Sequence, residues 1–160
     1  KVEKTNIGGV AKMDNFARFS LVGLEDRPGV AFKVFSLLSR NSVNVDIILQ
    51  SVGRDGSKDI SFTCPLSNLE AAKNVLEENH DTIGYSRVEV DDHVAKISLV
   101  GAGMMTHVGV ASDMFEALYD AGINIQMIAT SEIRISVLVS KTDANRALKV
   151  VHDKFFGIED

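Results

Sequence analysis

Long runs of charge of one sign, long apolar runs and paired cysteines are all missing from this 160-residue chain. The lone cysteine, Cys64, excludes a disulfide framework and fits a reducing, cytoplasmic setting. Lys and Arg nowhere cluster, and the net charge of −5 argues against a nucleic-acid or anionic-membrane surface. Aromatic residues make up only 6%, which opposes an RNA-binding sheet with its exposed stacking rings. No apolar stretch approaches the ~20 residues of a membrane span, and no signal peptide opens the chain. The histidines His80, His93, His107 and His152 are scattered without metal-ligand spacing. No nucleophile, base and orienting group can be assembled. The start at Lys1 rather than Met fits a piece of something longer.

What the chain does have is a repeat. Residues 20–51, SLVGLEDRPGVAFKVFSLLSRNSVNVDIILQS, return as residues 98–131, SLVGAGMMTHVGVASDMFEALYDAGINIQMIATS. Ser20 and Gly23 match Ser98 and Gly101 at an offset of 78, whereas Gly29, Phe35, Asn44 and Ser51 match Gly109, Phe115, Asn124 and Ser131 at an offset of 80. The difference is a two-residue insertion in the loop after the strand. Two copies of one supersecondary unit imply two small domains. Each is marginal in size and gains from packing on its twin or on a second chain.

Read in order, residues 5–13 form a short strand with a glycine kink. Residues 17–22 alternate as a half-buried strand. Pro28 suits a first helical turn, and Val30, Val34, Leu37 and Leu38 form one stripe of a helix lasting to Arg40. Residues 43–49 make the second strand. Asp55-Gly56 marks a hairpin turn, and Ile60, Phe62 and Cys64 alternate beyond it until Pro65. Ser67 and Glu70 have capping-box spacing ahead of a second helix, and residues 88–90 supply a fourth strand. The order is βαββαβ, an α+β ferredoxin-like arrangement with an antiparallel sheet covered by helices on one face. The second copy repeats it through strands at 96–100, 123–129 and 133–139, with a helix at 110–120 and a last helix that Thr142 can cap. It then ends one strand short. The spare N-terminal strand would complete that sheet, giving domains of 15–93 and of 94–160 plus 5–14, the second discontinuous.

The turn 24–29 joins a strand end to a helix start, where free N–H groups and the helix dipole favour a carboxylate. Asp26 in the same turn attracts an ammonium group, and the two together suit a free amino acid. The plainer reading is that Asp26 caps the helix. Gln50 and Ser51 end the next strand and Asn124-Ile125 begins its counterpart, and these could complete a pocket. Taken singly, Asn44 and Asn124 read as turn residues. Gly101-Ala102-Gly103 lacks the third glycine and the parallel strands of a dinucleotide site. Cys64 and the methionines read as apolar filling.

The segments GLEDRPGVAFKVFSLL, VNVDIILQ, FTCP, AKISLVGAGMMTHVGV and INIQMIATSEIRISVLV closely resemble the tandem ACT regulatory region of aspartokinase. GGVAKMDNFARFSL resembles the lead-in from the kinase domain. The resemblance implies a cytoplasmic module that binds lysine, threonine or both, pairs as a homodimer through its ACT domains, and represses phosphorylation of aspartate by ATP. ATP and magnesium would belong to a kinase domain or subunit, because the KFGGTS-type catalytic segment is absent here. By position, the effector pocket would use Leu24, Asp26, Gly29, Ala31 and Gln50 with Asn124 and Ile125 of a facing second domain. A second pocket would use Thr106, His107, Gly109 and Ala111 with Asn44, Val45, Ser131 and Glu132. Relatives often carry Pro at Val108 and Thr at Ala111, so the second pocket loses a hydroxyl. The rival readings are a ferredoxin-like RNA binder and a small hydrolase of the same fold.

Overall fold

The computed structural model describes residues 6–102 and 108–157. The first half runs β1 (Asn6–Met13), β2 (Phe16–Glu25), α1 (Val30–Arg40), β3 (Ile48–Val52), β4 (Ser57–Pro65), α2 (Leu69–Glu78), α3 (His80–Ile83) and β5 (Arg87–Asp91). The second half runs β6 (Val94–Ala102), α4 (Val110–Asp120), β7 (Met127–Thr130), β8 (Arg134–Ser140) and α5 (Ala144–Phe156). Contacts divide the chain into a unit of residues 15–92 and a unit that joins the N-terminal residues through Asp14 to those from His93 onward.

In the first unit the strands lie antiparallel in the order β3-β4-β2-β5. Ala17, Phe19 and Leu21 of β2 and Ile60, Phe62 and Cys64 of β4 point to one face, as their period-two spacing requires. The apolar stripes of α1 (Val30, Val34, Leu38) and α2 (Ala72, Val75, Leu76) cover that face. The Phe19 and Phe62 rings stack with centroids 5.1 Å apart, and Phe35 meets Phe62 edge-on at 5.9 Å.

The second unit has the order β1-β6-β8-β7, also antiparallel. Its core packs Ala95, Ile97 and Leu99 of β6 and Ile135, Val137 and Val139 of β8 beneath α4 and α5. The slot that β5 fills beside β2 is filled here by β1, which pairs along β6 from Asn6↔Ala102 to Met13↔Lys96 with a register break at Ile7/Gly9. On the helix-free faces one detail recurs: the Ser20 and Ser61 hydroxyls lie 2.8 Å apart, and so do those of Ser98 and Ser136. The fold is the α+β ferredoxin-like architecture, twice.

Several local expectations fail for identifiable reasons. The strands expected at 43–49 and 123–129 begin late, at Ile48 and Met127. Upstream of β3 the chain is held to Thr63, whose hydroxyl accepts from the Ile47 amide, whose amide donates to the Ile47 carbonyl and whose carbonyl accepts from the Asp46 amide. No capping box forms before α2: residues 66–68 make a 3-10 turn, and the Asn68 side chain accepts from the Asn44 amide instead. Thr142 pairs with the Ser140 hydroxyl rather than capping α5. Pro28 lies in the turn ahead of α1 rather than within its first turn. No helix among the described residues is long and apolar enough to cross a membrane.

One irregularity sets the entry to α1. Leu21 pairs with Ile60 but Leu24 with Lys58, so β2 carries an extra residue between them and Leu24 turns into the core. Gly23 lies in that bulge at φ 78°, and a Cβ there would come within 2.3 Å of the Ser86 Oγ. Gly23→Ala should destabilise the chain by about 1–3 kcal/mol, read as a lowered urea midpoint; an unchanged midpoint would mean the bulge tolerates a side chain.

Candidate functional site

The segment 25–29 connects β2 to α1 and is tied down on its far side. The Asp26 amide donates to the Gly56 carbonyl at 3.0 Å, which fastens the segment to the β3–β4 hairpin turn. That hairpin is itself braced: the Ser57 amide and hydroxyl donate to the Asp55 carboxylate at 3.1 and 2.6 Å, and these bonds hold its carboxyl below the usual range. Arg27 reaches back to the Glu25 carboxylate at 2.7 Å, leaving Asp26 between them without a bond from either.

Gly29 precedes α1 at φ 93°, a left-handed conformation that L residues rarely adopt. A Cβ on it would meet nothing within 4 Å, so its need for glycine is conformational and the space in front of the helix is open. No side chain caps α1. Asp26 therefore does not play the capping role that its position suggested. The first amides of the helix lack intrahelical acceptors and face outward with the positive end of the helix dipole.

The ion-pair partner of Asp26 was not singled out from the sequence. Lys58 lies on β4 opposite Leu24, with its ammonium 3.8 Å from the Asp26 carboxylate and its side chain only 8% exposed. A signal for it existed, since Lys58 shares strand parity with Ile60, Phe62 and Cys64 and so falls on the buried face.

Leu24 is wholly buried and can offer a ligand only its backbone. Ala31 is half-buried in the first turn of α1. Gln50 is exposed on edge strand β3, opposite Ile60. The structure thus brings Asp26, Lys58 and the start of α1 together. Asn124 and Ile125 belong to the other unit, in the loop before β7, with Asn124 exposed and Ile125 packed against its own core.

The second unit echoes the helix entry. Gly109 precedes α4 at φ 94° with no side-chain cap, and Ala111 is half-buried in the first turn. Thr106 and His107 lie outside the described residues. The Ser131 amide donates to the Arg134 carbonyl at 2.8 Å, and Glu132 is exposed. Asn44 and Val45 sit in the first unit, Asn44 bound through its amide to Asn68 and Val45 packed on the core.

ACT-domain models match residues 21–81 and 97–155. The chain is 40% identical to a chain of the aspartokinase alpha and beta subunit structure, with a TM-score of 0.87 over 93% of this chain and 98% of that one. The ligand-free regulatory subunit of aspartate kinase from Thermus thermophilus is 37% identical, with a TM-score of 0.89 over 94% and 99%. The chain belongs to the aspartokinase family, as its paired ACT-domain regulatory region. The aspartokinase of Mycolicibacterium smegmatis is 44% identical over 96% of this ACT pair, which spans only 37% of that protein's length.

Among the described residues no three His, Cys, Asp or Glu side chains gather as a metal site. His80 stacks on Tyr85 with centroids 4.2 Å apart, and His152 rests on Phe156. A groove of about 350 Å³ between α4 and α5 is lined by Ala117, Ala121, Val150, Asp120, Asp153 and Lys154. Lys154 already donates to Glu116 at 2.6 Å, so the groove's cation is engaged.

Cys64 is buried in the first core, and desolvation pushes its thiol up from 9.0 to about 11. The neutral thiol's contribution to stability is therefore complete below pH 9 and is lost as pH rises towards 11, because the unfolded chain releases that proton first. At pH 8 the native chain should react with an aromatic disulfide reagent at least ~100-fold more slowly than the urea-unfolded chain; equal rates would place Cys64 at the surface.

Proposed function

We infer that this ACT pair is the effector-binding module of an aspartate kinase, taking lysine, threonine or both and giving feedback control over the phosphorylation of aspartate by ATP. The single observation that carries the reading is the entry to α1: an uncapped helix start behind a lysine-paired Asp26, in a chain of the aspartokinase family. Free helix amides suit a carboxylate and Asp26 suits an ammonium group, so the entry complements both ends of a free amino acid.

The pocket is completed between two chains. Asn124 and Ile125 of a facing second domain close over the first domain's Asp26, Gly29 and Gln50, and a two-fold homodimer presents that pocket twice. Binding favours one arrangement of the dimer. That preference becomes inhibition through a kinase domain or subunit, which alone handles ATP and magnesium, because coupling needs two sites and two states.

Isothermal titration with lysine and with threonine, alongside sedimentation of the free and bound chain, tests this directly. Saturable binding of one of them with a stabilised dimer is expected; no heat from either would reduce the chain to a structural subunit. Asp26→Ala should weaken the binding by roughly 1.5–3 kcal/mol, the scale of a hydrogen bond to a charged group, and unaltered affinity would remove Asp26 from the site.

A further inference from the structure

The duplication supplies an internal comparison at the position of Lys58. Ser20 pairs with Ser61 in the first sheet and Ser98 with Ser136 in the second, so the residue equivalent to Lys58 is Ile133. The flanking core residues correspond as well, Ile60 to Ile135 and Phe62 to Val137. Yet Ile133 is 53% exposed while Lys58 is 7% exposed, the reverse of what their polarity favours.

A lysine can bury its aliphatic stem while its ammonium stays available to water or to a ligand. Among the described residues the Lys58 side chain makes no hydrogen bond, and its one ion pair, to Asp26, is 3.8 Å long, beyond the 2.7–3.2 Å of a good N–H···O bond. Asp26 is 40% exposed and can turn to solvent or to a ligand, whereas Lys58 is held beneath the turn. The Lys58 stem is thus buried while its ammonium, free of hydrogen bonds to the described residues, lies beside Asp26 in the turn ahead of α1, whose first amides also lack acceptors.

We propose that Lys58 reads the carboxylate of the bound amino acid and makes the first unit's turn selective for α-amino acids over their uncharged-carboxyl analogues. The inference rests on the effector reading above and adds the group that sets its specificity. A carboxylate at the α1 entry gives Lys58 a charge-assisted hydrogen bond while the ligand's ammonium group takes Asp26, so the charges alternate. In the second unit Ile133 stands at the equivalent position, where no charge is available from that side chain.

The test is titration of the whole chain with L-lysine, L-threonine and their carboxamides, for the wild type, Lys58→Met and Lys58→Arg. The wild type should prefer acid to amide by at least about tenfold. Lys58→Met should weaken acid binding by about ten- to a hundredfold and bring the acid-to-amide ratio close to one. Lys58→Arg, which keeps the charge, should retain most of the ratio and serves as the folding control if the Met variant melts early. A ratio preserved in Lys58→Met, or lost equally in Lys58→Arg, overturns the role of Lys58 while leaving the effector reading intact. Failure of the wild type to bind either amino acid overturns that reading and this assignment with it.

Discussion

The geometry of the first turn depends on one irregularity in the ladder between β2 and β4. Strict alternation along β2 would send Leu24 to the helix-free face, and the extra residue around Gly23 sends it into the core instead. Once Leu24 is anchored there, Glu25 closes the ladder against Ser57, and the Asp26 amide meets the Gly56 carbonyl at 3.0 Å. The same pairing sets Lys58 opposite Leu24, and so beneath Asp26. A carboxylate, a cation and a helix start are thus located by main-chain pairing rather than by the flexible side chains themselves.

Duplication repeats this frame without repeating its chemistry. Both helices are entered through a left-handed glycine, and the paired serines recur at 2.8 Å in each sheet. These are backbone and packing constraints, which any copy of the fold must meet. The residues free to diverge are those without such duties, and Lys58 against Ile133 is one such difference. The fourth strand differs too, being β5 after the helices in one unit and β1 ahead of everything in the other. An antiparallel edge accepts a strand from either end of the chain provided its register fits, because the ladder bonds are blind to connectivity.

Much of this was legible in the sequence, because periodicity reports which face is buried. The stripe through Val30, Val34 and Leu38 and the alternation through Ile60, Phe62 and Cys64 are both core residues, and the repeat marked the helix entries. What periodicity could not supply was competition for hydrogen bonds. Ser67, Thr142 and Asp26 are all sound capping residues by type, but none caps a helix: Thr142 pairs with Ser140, Asp26 faces Lys58, and Asn68 rather than Ser67 takes up a neighbouring amide. The late starts of β3 and β7 have the same character: the loops before them are extended and apolar enough to read as strand, and only pairing decides. Lys58 was overlooked because a lysine in a strand is ordinarily read as solvent-facing, although its parity said otherwise.

Leaving α1 uncapped by side chains has a stability cost that bears on function. A Ser or Asp cap typically contributes about 1 kcal/mol, and it does so by occupying the N–H groups that a carboxylate would need. Stability and anion binding therefore compete for the same donors, and a helix that keeps its entry free must be secured elsewhere. Here the stacked Phe19 and Phe62 rings, the buried stripe of α1 and the braced hairpin do that. The turn can then remain open over Gly29 because nothing in the fold relies on filling it.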